Sequence, residues 1–377
     1  MGNILDYIEW RGDLSFAQSE FNEIDNLILA YVTLVDFSGV VPRCDESEKY
    51  VTMAEAKEIF DQRGNSDNKY LGLIIPEKVN DLFSMMADSN RFGNMKMSCY
   101  EKHIDEETQK QFAAVTFDIG DGTKYVSYSG TDDTLVGWKE DFNMMFSEKV
   151  PAQQDALDYL NAVISKYNNP LRVGGHSKGG NLAVYAAMHT STKNQKQIIE
   201  VYSNDGPGFT SQSFNEEGYT NIKDKITHII PKSSVVGLLM ENNGDYKVVD
   251  SSKAGIMQHD ALTWQLTGTK FKYMQDISRS SKHLDKSLQM WLDKSTNEEK
   301  QHFVDELFKV LTADGAKTLS ELTANKLRNL LAMFESVSEM DKTTKDMISK
   351  MVKLLIKETL DFERVKELII PDIIKGK

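Results

Sequence analysis

A serine between two glycines, Gly175-His176-Ser177-Lys178-Gly179, is the setting in this sequence that points most directly to nucleophilic chemistry. In a G-x-S-x-G turn the chain passes from strand to helix so sharply that the serine is held in a strained conformation with its hydroxyl exposed. A side chain at either flanking position would collide with the neighbouring strand or helix. Leu171 to Gly174 reads as the short buried strand before the turn, and Gly180 to Ala187 as the helix after it.

A serine hydroxyl is a poor nucleophile near neutral pH unless a base takes its proton and an acid orients that base. On an elbow of this kind the three follow in the chain order Ser, Asp or Glu, His. Five histidines follow Ser177: His189, His228, His259, His283 and His302. His189 stands about three turns along the elbow's own helix, His228 falls inside a candidate strand, and His283 and His302 belong to C-terminal helical sequence. His259, in Gln258-His259-Asp260, lies in a loop after the last strand and is the expected base. The usual place for the acid, after the second strand beyond the elbow, reads Pro231-Lys232-Ser233-Ser234-Val235-Val236-Gly237 and holds no carboxylate. The loop after the first strand offers Asp205, in Asn204-Asp205-Gly206-Pro207-Gly208-Phe209, and Asp205 is the preferred acid. Asn-Asp-Gly-Pro is also ordinary turn chemistry. Asp260 and Asp250 are weaker substitutes, because a sequence neighbour rarely folds back onto its own ring.

Acyl transfer also needs donors aimed at the developing oxyanion. The backbone N–H of Lys178, the residue after the nucleophile, is one. The second is expected from Ser129-Gly130-Thr131-Asp132, where Gly130 permits close approach and Thr131 offers an N–H and a hydroxyl. Trp138 and Asp141 stand three apart on the following helix, so Asp141 is placed to reach back and fix the Thr131 hydroxyl.

The elements that must position these groups fall into three regions. Residues 1–90 read as helical: Phe21, Ile24, Leu27, Ile28, Tyr31 and Leu34-Val35 recur at helical spacing, Thr52-x-x-Glu55 is a capping box, and Pro76 opens a further helix. Residues 91–272 alternate strands with helices: 96–103, 111–118, 125–129, 198–203, 226–230 and 246–249 are β-like, with an Asp121-Gly122 hairpin turn. That alternation predicts an α/β fold, a mainly parallel sheet flanked by helices. Residues 273–377 return to helix: Thr296-x-x-Glu299 opens one with the stripe Phe303, Leu307, Val310 and Leu311, ending near Gly315. Thr318-x-x-Glu321 opens another, and Met347, Met351, Leu354 and Leu355 mark a third. The C-terminal region is expected to serve as core packing, a lid or an interaction surface.

Composition narrows the setting. A chain of 377 residues accommodates one large domain with accessory elements. Its net charge of −13 argues against a general nucleic-acid binder. No apolar run approaches the roughly eighteen residues of a membrane helix. The start lacks the basic and apolar regions of a signal peptide, and Asp6 stands where myristoylation wants Ser or Thr. Two cysteines, Cys44 and Cys99, are too few for a disulfide framework. A reducing, cytoplasmic setting is expected.

Ser129-Gly130-Thr131-Asp132 followed by Trp138-Lys139-Glu140-Asp141 resembles the class 3 lipase pattern of an oxyanion loop leading to a Trp-x-x-Asp helix. Gly175 to Ala183, G-H-S-K-G-G-N-L-A, resembles that family's elbow. More closely, the chain is similar to a bacterial group of lipase-like α/β-hydrolases with this elbow, an N-D-G-P-G-F turn and a Q-H-D loop, here 204–209 and 258–260. The likeness runs from about residue 20 to 266 and leaves out the C-terminal helices. It implies an α/β-hydrolase acting on a small-molecule or lipid ester, with neither metal nor organic cofactor. Two positions depart from the lipase pattern. Lys178 replaces an apolar residue, and its ammonium is expected to point to solvent or, less readily, to attract an anionic acyl group. Ser234 stands where lipases carry the catalytic aspartate. The expected function is serine ester hydrolysis. The rivals are a binding or scaffold module on a hydrolase fold, and an acyltransferase or amidase using the same residues.

Overall fold

The computed structural model describes residues 2–46, 49–64, 78–132, 134–144, 146–147, 149–210, 212–240, 246–253, 255–278 and 296–312. One mixed sheet of nine strands runs through it. β1 (Val51–Thr52), β2 (Lys96–Asp105), β3 (Lys110–Asp118) and β4 (Lys124–Tyr128) pair antiparallel in chain order. β5 (Leu171–His176), β6 (Ile198–Asn204), β7 (Ile226–Pro231) and β8 (Lys247–Val249) then continue from β4 in parallel. β9 (Leu266–Thr267) and β10 (Lys270–Phe271) make a small hairpin, and β11 (Tyr273–Met274) closes the sheet antiparallel to β8.

Side chains alternate across the sheet, as period-two patterning requires. One face, with Val115, Phe117, Tyr125, Tyr202 and Ile229, packs against α1 (Ile4–Arg11), α2 (Glu23–Val32), α3 (Met53–Gln62) and α4 (Lys78–Asp88). The other, with Phe112, Ala114, Val126, Tyr128, Val173 and Val201, packs against α6 (Pro151–Lys166) and α7 (Lys178–His189). α5 (Leu135–Asn143), α8 (Thr192–Gln195) and α9 (Glu217–Ile222) complete the crossovers. α10 (Asn297–Leu311) docks on α5 through Phe308 against Phe142, ring centroids 5.7 Å apart, and an Asp305–Lys139 ion pair at 2.8 Å.

The α/β alternation read from the sequence is the architecture observed, and both capping boxes form. Glu55 N–H bonds Thr52 Oγ1 at 3.2 Å, and Glu299 N–H bonds Thr296 Oγ1 at 3.2 Å. The α2 stripe was expected to run on to Leu34-Val35, but the helix ends at Val32. There the Thr33 hydroxyl turns back to the Leu29 carbonyl and to Ser127 Oγ, while Leu34 and Val35 N–H groups make tighter turn bonds. Every α2 residue but Glu23 is buried, because the helix is sandwiched between sheet and outer helices. The Pro76 helix start and the helices expected from 318 and 347 lie outside the described residues.

The N-terminal helices are locked by a buried ion pair. Arg91 reaches Asp25 through Nε at 2.7 Å and Nη2 at 2.5 Å, and its other donors go to the carbonyls of Leu14, Ser19 and Glu20. Both side chains are fully covered, and Phe16 lies against the guanidinium, 4.0 Å from ring centroid to Cζ. Arg91→Met would strand the Asp25 charge in the core. It is expected to lower unfolding free energy by about 3–5 kcal/mol, read from urea denaturation; a loss below 1 kcal/mol would show that the pair does not anchor this face.

Candidate active site

The elbow is built by close backbone approach. A Cβ on Gly175 would stand 2.2 Å from the Gly179 carbonyl carbon, and one on Gly179 would stand 2.2 Å from the Tyr128 carbonyl oxygen. Only glycine at both positions lets α7 leave β5 this abruptly. Ser177 carries the strain, with φ +57° and ψ −131°. Its N–H is tied to the Asn204 carbonyl at 2.9 Å. Beyond it, Gly180 sits against Ser203, and Asn181 donates to the carbonyls of Pro207 and Gly208. The N-D-G-P-G-F turn is therefore fastened to the elbow helix.

The neighbouring strands end level with β5: Tyr128 pairs with Gly175, and His176 with Asn204. The loops after β4, β5 and β6 consequently open on one edge, at the carboxyl ends of parallel strands, where sheets of this type place ligands. Gly130 abuts the elbow, since a Cβ there would meet the His176 carbonyl oxygen at 2.9 Å and Ser177 Cβ at 3.4 Å. Thr131 follows, its hydroxyl 2.5 Å from Asp141 Oδ2 on α5.

His259, from the loop after β8, places Nδ1 2.7 Å from Asp205 Oδ2. A carboxylate can only accept, so Nδ1–H is the donor. Asp205 is fully buried at φ +50°, a left-handed conformation that Asp tolerates. Its other oxygen accepts from Ser234 Oγ at 2.5 Å and from Gly237 N–H at 3.1 Å. A Cβ on Gly237 would fall 2.4 Å from that oxygen, so glycine makes room for the carboxylate. The weaker candidates point elsewhere: Asp260 accepts the Tyr31 hydroxyl at 2.7 Å, and Asp250 pairs with Lys272 at 2.7 Å.

Ser177, His259, Gly130 and Thr131 line one cavity with His176, Tyr31, Leu34, Trp138 and Asp260. Its volume is about 20 Å3, room for roughly one water. Trp138 therefore walls the cleft from α5, the helix on which α10 docks.

Against the expectation that its ammonium points to solvent, Lys178 does not reach it. Its side chain is fully buried, and Nζ bonds the Gln111 carbonyl at 2.8 Å, Gln111 Oε1 at 2.6 Å and Glu140 Oε2 at 3.0 Å. Glu140 also accepts the backbone N–H of Gln111 and of Ala152. The long stem of Lys178 crosses from α7 to meet a carboxylate on α5, a partner no local pattern in the sequence discloses. The same cation lies 3.9 Å from Asp141 Oδ1. Burial raises the Asp141 carboxyl to about 6, against the pull of Lys178 and Thr131.

Further residues support His259. His176 lends its Nε2–H to the His259 carbonyl at 2.8 Å, and burial holds its ring well below the usual histidine pKa, so it works as a neutral donor. Gln258 takes the Ser233 N–H and gives its own amide to the Lys253 carbonyl, while Trp264 Nε1 bonds the Gln258 carbonyl. None of Ser234, His176, Gly237 and Tyr31 was expected to act in the site; His176 fell within the elbow motif, and Ser234 stood where lipases carry the catalytic aspartate. His189 faces Glu216, and His228 is buried in β7 with its pKa pressed down to about 4 by burial.

A mainly parallel sheet with helices on both faces, a strained serine at a strand-to-helix turn and loops converging on the carboxyl edge define an α/β-hydrolase fold of the lipase-like kind. Residues 86–309 match the Mbeg1-like family, and the chain belongs to it. Among solved structures it is similar to M37 lipase, at 14% identity and a TM-score of 0.36, over 59% of this chain and 72% of that one. A fungal lipase–inhibitor complex, described as a model for interfacial activation, gives 14% identity and a TM-score of 0.30 over 54% and 81%. No curated protein matches the chain. Among the described residues no helix is long and apolar enough to cross a membrane, and no cluster of metal-ligating side chains occurs.

The buried charges make a direct test. Lys178→Met leaves Glu140 covered and unpaired, so a loss of about 3–5 kcal/mol is expected from urea denaturation, with a smaller cost for Lys178→Met combined with Glu140→Gln than for the two singles added. Asp141 adds a pH signature. Its folded pKa of about 6 lies above the usual 3.8, so the stability associated with its proton is full below 3.8 and is lost as pH rises through about 6. Asp141→Asn should therefore gain stability relative to the parent between pH 4 and 7, and a flat difference across that window would reject the assignment.

Proposed function

We propose that the protein is a serine hydrolase that cleaves carboxylic esters through an acyl-enzyme on Ser177. The observation that carries this reading is the 2.7 Å contact between His259 Nδ1 and the buried Asp205 carboxylate, beside a serine at a strained elbow. Ser177 Oγ attacks the ester carbonyl carbon while His259 Nε2 takes its proton. Asp205 holds the ring in that tautomer and stabilises the imidazolium as it forms. The oxyanion is received by the backbone N–H groups of Lys178 and Thr131, with Asp141 fixing the Thr131 side chain. Collapse expels the alcohol, which leaves with the proton from His259. Water, deprotonated by the same ring, then releases the acid and frees Ser177.

The narrow cavity limits what enters. With about 20 Å3 above the serine, an acyl chain is admitted only when Trp138, Tyr31 or Leu34 moves aside. Small-molecule and lipid esters are the substrate class, and acyl transfer to another acceptor or amide cleavage would use the same residues. The scaffold alternative drew its support from the missing carboxylate at position 234. That support weakens, because Ser234 holds the carboxylate of Asp205 rather than replacing it.

Ser177→Ala is expected to lower turnover of an activated short-chain ester by a factor on the order of 10⁶ and to abolish labelling by a fluorophosphonate. Unchanged turnover, or a parent protein that never labels, would overturn the enzyme reading. Asp205→Asn is expected to lower kcat by about 10²-fold or more, whereas Asp260→Asn should stay within about 10-fold of the parent. The reverse ranking would reassign the acid.

A further inference from the structure

The two oxyanion donors of the reaction proposed above belong to different elements. The Lys178 N–H begins α7, whereas the Thr131 N–H stands in the loop after β4. That loop is moored to α5, through Thr131 Oγ1 and Asp141 Oδ2 at 2.5 Å. An oxyanion is held well only when both donors meet it at about 3 Å. The distance between α7 and α5 therefore governs the grip, and the Lys178 side chain spans it.

An ammonium carries three donors, and here each finds an acceptor: the Gln111 carbonyl at 2.8 Å, Gln111 Oε1 at 2.6 Å and Glu140 Oε2 at 3.0 Å. With those bonds made and both charged side chains covered, no N–H is left for a substrate. Glu140 adjoins Asp141, which holds Thr131, and the same ammonium lies 3.9 Å from Asp141 Oδ1. Glu140 also accepts the Gln111 N–H of β3 at 3.0 Å and the Ala152 N–H at the start of α6 at 2.9 Å. Clearance on the Thr131 side is small. A Cβ on Gly137, one turn before Asp141, would stand 2.8 Å from Thr131 Cγ2 and 3.2 Å from Gln111 Oε1. α5 thus lies against both the oxyanion loop and the amide that receives the ammonium. An apolar residue of similar length would fill the same space without burying two charges, so net stability alone does not account for a cation here. What the pair adds is one fixed arrangement of α5 on α7.

We propose that Lys178 is a positioning residue for transition-state stabilisation. Its backbone supplies one oxyanion donor, and its ammonium, through Glu140 and Gln111, sets the place of α5 and hence of Thr131, which supplies the other. The role rests on the serine-hydrolase reading above. It gives the ammonium no contact with substrate and no proton to transfer.

The test separates positioning from stability. Lys178→Met, the same change combined with Glu140→Gln, and Gln111→Met are compared with the parent on an activated short-chain ester, each below its melting temperature. Lys178→Met is expected to lower kcat about 10²-fold with KM within about threefold, because a misplaced donor costs the transition state and not the bound ester. Affinity for an alkyl boronic acid, whose tetrahedral adduct on Ser177 puts an oxygen in the oxyanion site, should fall in proportion to kcat. Adding Glu140→Gln removes the stranded charge, so the melting temperature should rise again while kcat stays low. Gln111→Met leaves the ion pair in place and carries the test if the Lys178 variants do not fold; a smaller loss of kcat is expected, again with KM unchanged. Recovery of kcat together with melting temperature in the double variant, a loss carried by KM, or unchanged kcat in Lys178→Met and Gln111→Met would each overturn the proposal. Fluorophosphonate labelling of the parent keeps the two readings apart. A labelled parent with unaffected variants sinks the positioning role alone, whereas an unlabelled parent sinks the serine reading and this role with it.

Discussion

The site depends on how closely two pieces of backbone can lie at the carboxyl end of β5. Gly175 and Gly179 have no Cβ, and without that absence α7 would be pushed off the sheet. Once α7 starts there, Ser177 is forced to φ +57°. Strand register does the rest. Because Tyr128 and Asn204 stand beside Gly175 and His176, the loops carrying Thr131 and Asp205 leave the sheet on either side of the serine.

The placement of Asp205 follows from that geometry. Parallel strands end together, so a carboxylate one strand from the elbow meets the same imidazole as a carboxylate two strands away. Asp205 uses the nearer position, and the farther strand's loop supplies donors: the Ser234 hydroxyl and the Gly237 N–H. A buried carboxylate with one oxygen on the imidazole and the other on two donors is fixed in orientation. Ser234 therefore supports the Asp205–His259 contact from the position where a carboxylate was expected.

Two buried cations tie helices to this frame. Arg91 holds the N-terminal helices through Asp25, and Lys178 joins α7 to α5 through Glu140. Such pairs gain little net stability against apolar replacements, yet each fixes one arrangement of its helices, since any other leaves a charge stranded. Below the sheet, Asn26 of α2 donates to Asn204, which donates to the Gly175 carbonyl. The N-terminal helices are thus part of the elbow's foundation.

By itself the sequence determined what is local: the elbow, where Gly175 lies against Gly179, the alternation of strands and helices, the capping boxes, and the Gly130-Thr131 loop. It also singled out His259 and Asp205 as candidates by position in a loop order. Tertiary structure alone decided where long or neutral side chains end. Lys178 looked like a surface residue and is buried on Glu140; Ser234 looked like a gap and is a donor; Asp260 turns to Tyr31. The physical reason is that backbone turns are specified by sterics between near neighbours, whereas a side chain's partner is whichever group the sheet register and helix packing bring within about 3 Å.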